Sequence, residues 1–436
     1  MIQSYEQAID WIHKRLKFGI KPGLKRMNWM LEQLDHPERL VKFVHIAGTN
    51  GKGSTVTYMR SILQKAGYKV GTFTSPYIER FNERISVNGT QILDEDILKL
   101  VNLIKPVVEA GDETELGGAT EFEIITVMAF YYFAHENSCD IVLLETGLGG
   151  RLDSTNVVSP LLSIITTIGH DHMHILGNTL AEIAYEKAGI IKKDTPVVTG
   201  VTQPEALDVI TSVAREKQAK TYVLGHDFTN EYMRSEPNGE IFSFSCEFQR
   251  LEQVSISMKG VHQIHNASLA LMGIYYMKMF QSFHINEEHI REGLREAYWI
   301  GRFEQLVENP TVIIDGAHNP EGIESVVETL KAHYGDRRIV IMFSALGDKK
   351  LEEMVSLLET VASKMIFTTF SFHRAIAANL LAAHCHATEN EVYENWKEAY
   401  EHTISELNEK DVLLITGSLY FIAEVRKFII DKTDSQ

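Results

Sequence analysis

Short apolar runs alternate with amphipathic stretches along the first 300 residues, and this alternation is what most constrains the fold. Phe43–Ala47 is typical of a buried strand, and the apolar residues after it recur at helical spacing until Gly67. Apolar runs at 140–145, 161–167 and 195–199 continue the series. The pattern predicts an α/β fold in which a mostly parallel sheet is covered by helices.

A second alternating series begins after Gly301, with strands predicted at 311–314, 338–343, 364–369 and 411–416. This series predicts a smaller, Rossmann-like α/β domain, so we expect two domains, residues 1–297 and 298–436. Two alternating segments, 241–247 and 254–258, predict a small antiparallel pair within the first domain.

Charge and cysteine content narrow the class of protein. The chain has 42 Lys and Arg against 59 Asp and Glu, a net charge of −17, and no block rich in basic residues. Because nucleic acids and anionic membranes require a basic face, we expect neither as a partner. Three widely spaced cysteines and an N-terminus without a signal pattern predict a cytoplasmic protein.

The segment from Gly48 to Thr55 carries the strongest local signal for function, because it lies between a predicted strand and a predicted helix. Backbone N–H groups at such a turn bind phosphate, and Lys52 adds a positive charge. The segment departs from the usual P-loop pattern at Ile46 and at Gly53. We nevertheless predict a phosphate site formed by Thr49, Asn50, Gly51, Lys52, Gly53 and Ser54, within an N-terminal P-loop domain.

Further motifs follow in order along nearly the whole chain. They include 74–85 (TSPYIERFNERI), 120–123 (TEFE), 145–156 (ETGLGGRLDSTN), 169–172 (GHDH), 186–192 (EKAGIIK), 301–304 (GRFE), 315–320 (DGAHNP) and 416–418 (TGS). Together with the phosphate loop, these motifs resemble the folylpolyglutamate synthase and dihydrofolate synthase family of the Mur-ligase superfamily.

The resemblance implies an ATP-dependent ligase that joins L-glutamate to the terminal carboxylate of a reduced folate through an acyl phosphate. It implies a Mur-ligase-like ATP-binding domain at 1–297, a glutamate-ligase domain at 298–436, and a monomer whose partners are small molecules. Whether dihydropteroate is also a substrate, and whether a monovalent cation is required, stay open.

Glu145 is expected at the end of a buried strand near the phosphate loop, where a carboxylate needs a cation such as Mg²⁺. The resemblance assigns Ser75, Glu145 and His172 to Mg²⁺. It also implies that Lys187 is carbamylated: low dielectric and a nearby cation favour the neutral amine, which reacts with CO₂. The alternative for Lys187 is a surface lysine paired with an acid.

The remaining assignments come from the resemblance as well. The resemblance implies catalytic roles for Lys52, Lys187 and His318. It also implies that Asn266, Arg302 and Asp315 contact ATP and that His318 and Ser418 contact glutamate. The folate residues implied by the family are Thr120, Glu121, Phe122, Glu123, Leu152, Asp153 and Ser154.

Two other classes of protein share part of these signals. A ligase for UDP-muramyl peptides has the same loop, metal and carbamylated lysine, but here the loop begins only 48 residues into the chain, which leaves no room for a preceding UDP-binding domain. A nucleotide switch is disfavoured by the joint presence of Lys52, Glu145, Lys187 and Asp315. A P-loop kinase stays open and would be excluded by an amide product without a phosphorylated product.

Overall fold

The computed structural model describes residues 1–19, 21–347 and 349–434. Contacts divide the chain into two compact units. The N-terminal unit comprises Met1–Glu231, Ser243–Val254 and His265–Ala297, and the C-terminal unit comprises Tyr232–Phe242, Ser255–Ile264 and the residues from Tyr298 onward. The division into two continuous domains at 297 and 298 stays a prediction.

Strands and helices alternate in both units. The strands within the described residues are β1 Phe43–Ala47, β2 Val70–Phe73, β3 Ile85–Val87, β4 Thr90–Gln91, β5 Ile141–Glu145, β6 Leu162–Ile165, β7 Val197–Thr199, β8 Thr221–Val223, β9 Phe228–Glu236, β10 Gly239–Cys246, β11 Gln249–Ile256, β12 Glu304–Val307, β13 Thr311–Asp315, β14 Ile339–Phe343, β15 Lys364–Thr368, β16 Asn390–Tyr393 and β17 Val412–Thr416. The α-helices are α1 Tyr5–His13, α2 Lys25–Glu32, α3 Lys52–Lys65, α4 Asp94–Asp112, α5 Glu121–Tyr131, α6 Met173–Leu176, α7 Leu180–Ala188, α8 Pro204–Glu216, α9 Val261–Phe280, α10 Glu287–Glu296, α11 Pro320–Tyr334, α12 Leu351–Glu359, α13 Ala378–Ala382, α14 Trp396–Glu406 and α15 Leu419–Asp434.

The N-terminal unit is built on an eight-stranded sheet of order β4-β3-β2-β5-β1-β6-β7-β8, in which only β3 and β4 run antiparallel to their neighbours. Every residue of the central strands β5, β1 and β6 is buried, which explains their continuous apolar runs. Because these strands are parallel and Ile46 pairs with both Glu145 and Ile164, their following loops emerge at the same edge.

The C-terminal unit has a six-stranded sheet of order β12-β13-β17-β14-β15-β16, with β12 antiparallel and the other strands parallel. Successive residues of β13 and β14 enter two separate hydrophobic clusters. Ile313, Ile341 and Phe343 pack on one face, and Val312, Ile314, Val340 and Met342 on the other. Both faces of this sheet are therefore buried, as the predicted Rossmann-like domain requires.

The third sheet has the order β11-β10-β9, and it contains the pair of strands predicted at 241–247 and 254–258. Both strands begin earlier than predicted, at Gly239 and Gln249, and end earlier, at Cys246 and Ile256. Its residues from the C-terminal unit are anchored by buried Glu240. The carboxylate accepts hydrogen bonds from Nε2 of His333 at 2.7 Å, from Oγ of Ser235 at 2.6 Å and from the N–H of Gly260 at 2.7 Å.

The predicted α/β class, with a large, mostly parallel sheet followed by a second α/β sheet, is confirmed. In the part of the chain that the structure describes, each helix falls short of the length or apolar character that a membrane span needs.

Candidate active site

The loop between β1 and α3 depends on two glycines with positive φ. Gly48 has φ +153° and Gly51 has φ +88°. A Cβ atom at Gly48 would lie 1.8 Å from Oγ1 of Thr166, and one at Gly51 would lie 2.2 Å from Oδ1 of Asn266. Asn266 is buried against the loop. The sequence therefore requires glycine at both positions, and helix α3 begins directly after the second.

Two threonine hydroxyls after β6 fasten this loop. Oγ1 of Thr166 donates to the carbonyl of Asn50 at 2.6 Å, and Oγ1 of Thr167 accepts from the N–H of Asn50 at 2.9 Å. The N–H of Thr49 donates to the carbonyl of Thr167 at 2.8 Å. Sequence reasoning missed both threonines, because it treated 161–167 as strand throughout; two adjacent hydroxyl residues at a strand end were the available signal.

Lys52 and Glu145 meet at the sheet edge beside the loop. Nζ of Lys52 donates to the carbonyls of Gly48 and Thr49 at 2.9 and 3.1 Å, and it lies 3.9 Å from Oε1 of Glu145. Buried Glu145 accepts a hydrogen bond from the N–H of Ser75 at 3.3 Å. The site thus combines a cation, a buried carboxylate and the N-terminus of α3. Gly53 and Ser54 form the first turn of that helix.

Of the three predicted metal ligands, two are in contact with each other and the third is exposed. Ser75 and Glu145 are in contact, whereas His172 is 43% exposed, and its Nε2 lies 3.9 Å from Oδ2 of Asp171. His172 has φ +51° and immediately precedes the short helix α6. Among the residues that the structure describes, no group of three His, Cys, Asp or Glu side chains is arranged to hold a metal ion by itself.

Lys187 is buried near the end of α7, with 4% of the residue exposed. Burial, aided by the charge of Lys52, lowers the pKa of its amine to about 7, although Asp171 and Asp153 oppose the shift. Because Lys187 is buried, the alternative of a surface lysine paired with an acid does not fit its environment.

Asp315, in the C-terminal unit, is buried at the end of β13. Its two oxygens accept hydrogen bonds from the N–H groups of Phe303 and Ala317 at 2.8 and 2.7 Å. Burial raises the pKa of this carboxyl, and the nearby charge of Arg302 and the two N–H groups partly offset that effect. Nη1 of Arg302 lies 2.9 Å from the position that a Cβ of Gly316 would take.

His318 and Ser418 lie on neighbouring loops of the same unit, because Asp315 pairs with Thr416 across β13 and β17. Nδ1 of His318 and the carbonyl of Gly316 are 2.9 Å apart, so Nδ1 carries the proton and donates it. Oγ of Ser418 is buried and has no hydrogen-bond partner among the described residues. The hydroxyls of Ser344 and Thr368 are in the same state, so the role of Ser418 toward glutamate stays a prediction.

The predicted folate residues at 120–123 form the start of α5. Thr120 and Glu123 make a capping box, with hydrogen bonds of 3.2 and 2.7 Å, and Glu123 also binds Nε of Arg26 at 2.9 Å. Nη2 of Arg84 lies 4.0 Å from Glu121. Phe122 packs on Phe73 with ring centroids 5.7 Å apart.

The second group of folate residues follows β5. The carboxylate of Asp153 accepts from the N–H groups of Leu148 and Thr155 at 2.8 and 3.0 Å, so it holds the loop in shape. Leu152 and Ser154 flank it and are half-buried, and the carbonyl of Leu152 accepts from the N–H of Gly23 at 3.5 Å. The roles of all these residues toward a substrate stay predictions.

Models of two known protein domains match most of the chain. Residues 46–273 match the model of the Mur ligase middle domain, and residues 301–419 match that of the Mur ligase glutamate ligase domain. The chain is 50% identical over 431 residues to the dihydrofolate synthase/folylpolyglutamate synthase of Bacillus subtilis, an alignment that covers 98% of this chain and 99% of that protein. The chain belongs to the folylpolyglutamate synthase family of the Mur ligases.

Solved structures of folylpolyglutamate synthases have the same fold. The enzyme of Thermotoga maritima is 36% identical, with a TM-score of 0.86 and coverage of 98% of this chain and 96% of that one. The Mycobacterium tuberculosis enzyme complexed with ADP is 28% identical, with a TM-score of 0.91 and 98% of both chains covered.

The predicted family and the ATP-dependent acid–amino-acid ligase activity are thereby confirmed. A UDP-muramyl peptide ligase has only the two shared domain models in its favour, whereas the full-length relatives are folylpolyglutamate synthases.

Proposed function

We propose that this chain joins L-glutamate to the terminal carboxylate of a reduced folate, with ATP as the phosphoryl donor. The observation that carries the proposal is the pairing of Lys52 with buried Glu145 beside a glycine-dependent phosphate loop. This arrangement occurs in a chain whose 50%-identical relative is a folate ligase over its whole length.

The chemistry follows from the poor reactivity of a carboxylate. The γ-phosphoryl group of ATP passes to a carboxylate oxygen of the folate, which gives an acyl phosphate and ADP. The glutamate amine then attacks the acyl carbon, the C–O bond to phosphate breaks, and the amine loses a proton. Lys52 and the N–H groups of the loop stabilise negative charge on the phosphoryl group during transfer.

The donor set at the sheet edge fits Mg²⁺, which is usually held by one or two carboxylates together with substrate phosphates. Glu145, Ser75 and His172 are the residues that would hold it, and the bound ion would neutralise phosphate charge during transfer. Glu145 is already oriented for this by the N–H of Ser75. His172, which is exposed, would have to turn toward the ion.

We also propose that Lys187 carries a carbamate. A buried amine with a pKa of about 7 is largely neutral at pH 8 and therefore nucleophilic toward CO₂. The neutral amine attacks the carbon of CO₂, the N–C bond forms while one C=O bond becomes a C–O⁻ group, and the nitrogen loses a proton, so that a neutral side chain becomes an anion. Lys187 would then add to the negative charge that supports the metal site.

In the C-terminal unit, Arg302 and Asp315 would contact ATP, as would Asn266 in the N-terminal unit. His318 and Ser418 would bind the incoming glutamate. Because Nδ1 of His318 donates to Gly316, the lone pair of the neutral ring is on Nε2, which can accept the proton of the attacking amine.

The folate would lie against residues 120–123 and 152–154. Glu123 and Asp153 give both regions their shape, since their carboxylates bind backbone N–H groups. Phe122 offers an aromatic face for the flat pterin ring. Dihydropteroate is the second acceptor that we propose, because the relative from Bacillus subtilis is named for both activities. We further propose a cytoplasmic monomer and leave a monovalent cation as an optional requirement.

The test is phosphate release from MgATP and L-glutamate with tetrahydrofolate, dihydropteroate or a UDP-muramyl peptide as acceptor, with the mass of each product determined. We expect glutamyl addition to both pterin acceptors. Lys52→Met should lower turnover at least about 10²-fold, since it removes a charge beside the phosphoryl group. Lys65→Met, at the other end of α3, should retain activity.

Turnover with the muramyl peptide alone, or phosphate release that needs no carboxylate acceptor, would refute the proposal. Activity with tetrahydrofolate but not with dihydropteroate would restrict it to folylpolyglutamate synthesis.

A further inference from the structure

Arg302 is presented by a backbone segment of unusual conformation. The residues on either side of it have positive φ, +69° at Gly301 and +46° at Phe303. Phenylalanine rarely adopts this region, so the surrounding contacts must hold it there. The buried ring of Phe303 stacks on Tyr334, with centroids 6.2 Å apart.

Glu304 clamps one side of this segment. Its side chain is 3% exposed, and Oε2 accepts a hydrogen bond from the N–H of Gly301 at 2.8 Å. Oε1 accepts from the hydroxyl of Tyr298 and from Nε of Arg426, the latter at 3.0 Å. One buried carboxylate therefore ties helix α15 to two positions in the residues that lead into Arg302.

Asp315 and Gly316 clamp the other side. The N–H of Phe303 donates to Asp315, and the N–H of Gly316 donates to the carbonyl of Gly301 at 2.9 Å. Gly301 is thus fixed through its N–H by Glu304 and through its carbonyl by Gly316. All of these contacts lie within the C-terminal unit.

We infer that Glu304 is a positioning residue for the nucleotide site: by fixing Gly301, it sets the direction in which Arg302 leaves the backbone. The inference rests on the proposed function in one respect, that Arg302 contacts the nucleotide. Glu304 itself touches no substrate. The alternative is that Glu304 and Arg426 form a buried ion pair that contributes only to stability.

The two roles predict different results for Glu304→Gln. The amide has one oxygen in place of two, so it cannot serve all three donors, and Gly301 is released. If Glu304 positions Arg302, its loss matters only while Arg302 is present, so the two substitutions are not additive. If it only stabilises the fold, the folded variant binds MgADP like the wild type, and the KM values for ATP and folate stay unchanged while the amount of folded protein falls.

The experiment is calorimetric titration of the full chain with MgADP, for the wild type, Glu304→Gln, Arg302→Ala and the double variant. Glu308→Gln is the matched control, because this exposed residue lies on the same segment. We expect Glu304→Gln to weaken MgADP binding about tenfold and the double variant to bind like Arg302→Ala. The KM for ATP should rise while that for tetrahydrofolate stays within about twofold.

A folded Glu304→Gln protein with wild-type MgADP affinity would overturn the inference, as would multiplying losses in the double variant. If Glu304→Gln does not fold, Glu304→Asp decides, since it keeps the carboxylate but shortens its reach to the N–H of Gly301. A loss of about two- to fivefold that vanishes in the Arg302→Ala background supports positioning, and unchanged affinity refutes it.

The proposed function is tested separately by the same samples. A wild-type protein that binds MgADP but adds glutamate to no folate would refute the function and leave the role of Glu304 standing.

Discussion

At the scale of the residue, Lys187 is a buried side chain whose protonation the fold opposes. Its ordinary pKa is 10.5, and burial lowers it to about 7. Between these values the unfolded chain binds a proton that the folded chain does not, so stability rises with pH over this range. Below pH 7 both states are protonated, and the full cost of burying the charge is present.

We therefore expect Lys187→Met to be more stable than the wild type at pH 7, with the advantage shrinking by at most about 1.4 kcal/mol per pH unit toward pH 10. Urea unfolding at pH 7, 8.5 and 10 in CO₂-free buffer measures the difference. Bicarbonate should raise the stability of the wild type alone, because the CO₂ in equilibrium with it reacts with the neutral amine of the folded chain and less with the protonated amine of the unfolded chain. Lys193→Met, at an exposed position, is the control; parallel pH curves for Lys187→Met and wild type would contradict the expectation.

Single residues also mark the limit of prediction from sequence. Lys52, Glu145 and Asp315 were found because each follows a buried strand at a position where ligands bind. The hydroxyls of Thr166 and Thr167, which hold the phosphate loop, were not, because their partner Asn50 lies more than 100 residues away in the chain. Pairings at that separation exist only once the sheet has brought β1 and β6 together.

At the scale of the element, the loop from Gly48 to Gly51 leaves no space for a side chain at either of its two glycines. Gly51→Ala would place a methyl group 2.2 Å from Asn266 and impose a positive φ on alanine. Gly67 lies at the other end of α3 with a similar φ of +86°, but it has open space around it.

We expect Gly51→Ala to abolish measurable MgADP binding, since the loop must shift to relieve the contact. Gly67→Ala should cost only about 1 kcal/mol of stability and keep nucleotide affinity. Calorimetric titration and thermal unfolding of both variants test this. Equal affinities would show that the loop tolerates a side chain.

Strand positions were predictable to the extent that burial alone fixes them. The run 43–47 is the whole of β1, and 311–314 lacks only Asp315 of β13. The run 161–167 was too long, because β6 ends at Ile165 and the two threonines that follow turn toward the loop. Apolar character locates a buried strand, but its end depends on which neighbour continues to pair with it.

At the scale of the whole molecule, the eight-stranded sheet lies in the N-terminal unit and the six-stranded sheet lies in the C-terminal unit. Two hydrophobic clusters consist of residues that precede 220. Two others consist of residues from Phe303 onward. Hydrophobic clusters that lie within one unit favour separate unfolding transitions for the two units.

Scanning calorimetry should therefore give a total unfolding enthalpy larger than the van't Hoff enthalpy of its main transition. MgADP should raise the temperature of the transition that contains the phosphate loop, because the ligand binds only the folded form. A single transition with equal enthalpies, with or without nucleotide, would contradict this expectation.

The C-terminal unit includes two segments, 232–242 and 255–264, that precede residue 298 in the chain, and Glu240 belongs to the first of them. It lies before residue 298, yet its carboxylate accepts from His333, and the N–H of Gly260 depends on it as well. A chimaera that exchanged only the residues after 297 with a homologue would match one parent's His333 to the other parent's Glu240. A fragment that started at 298 would leave His333 without its acid. A chimaera between members of this family should therefore exchange the segments 232–242 and 255–264 together with the C-terminal residues.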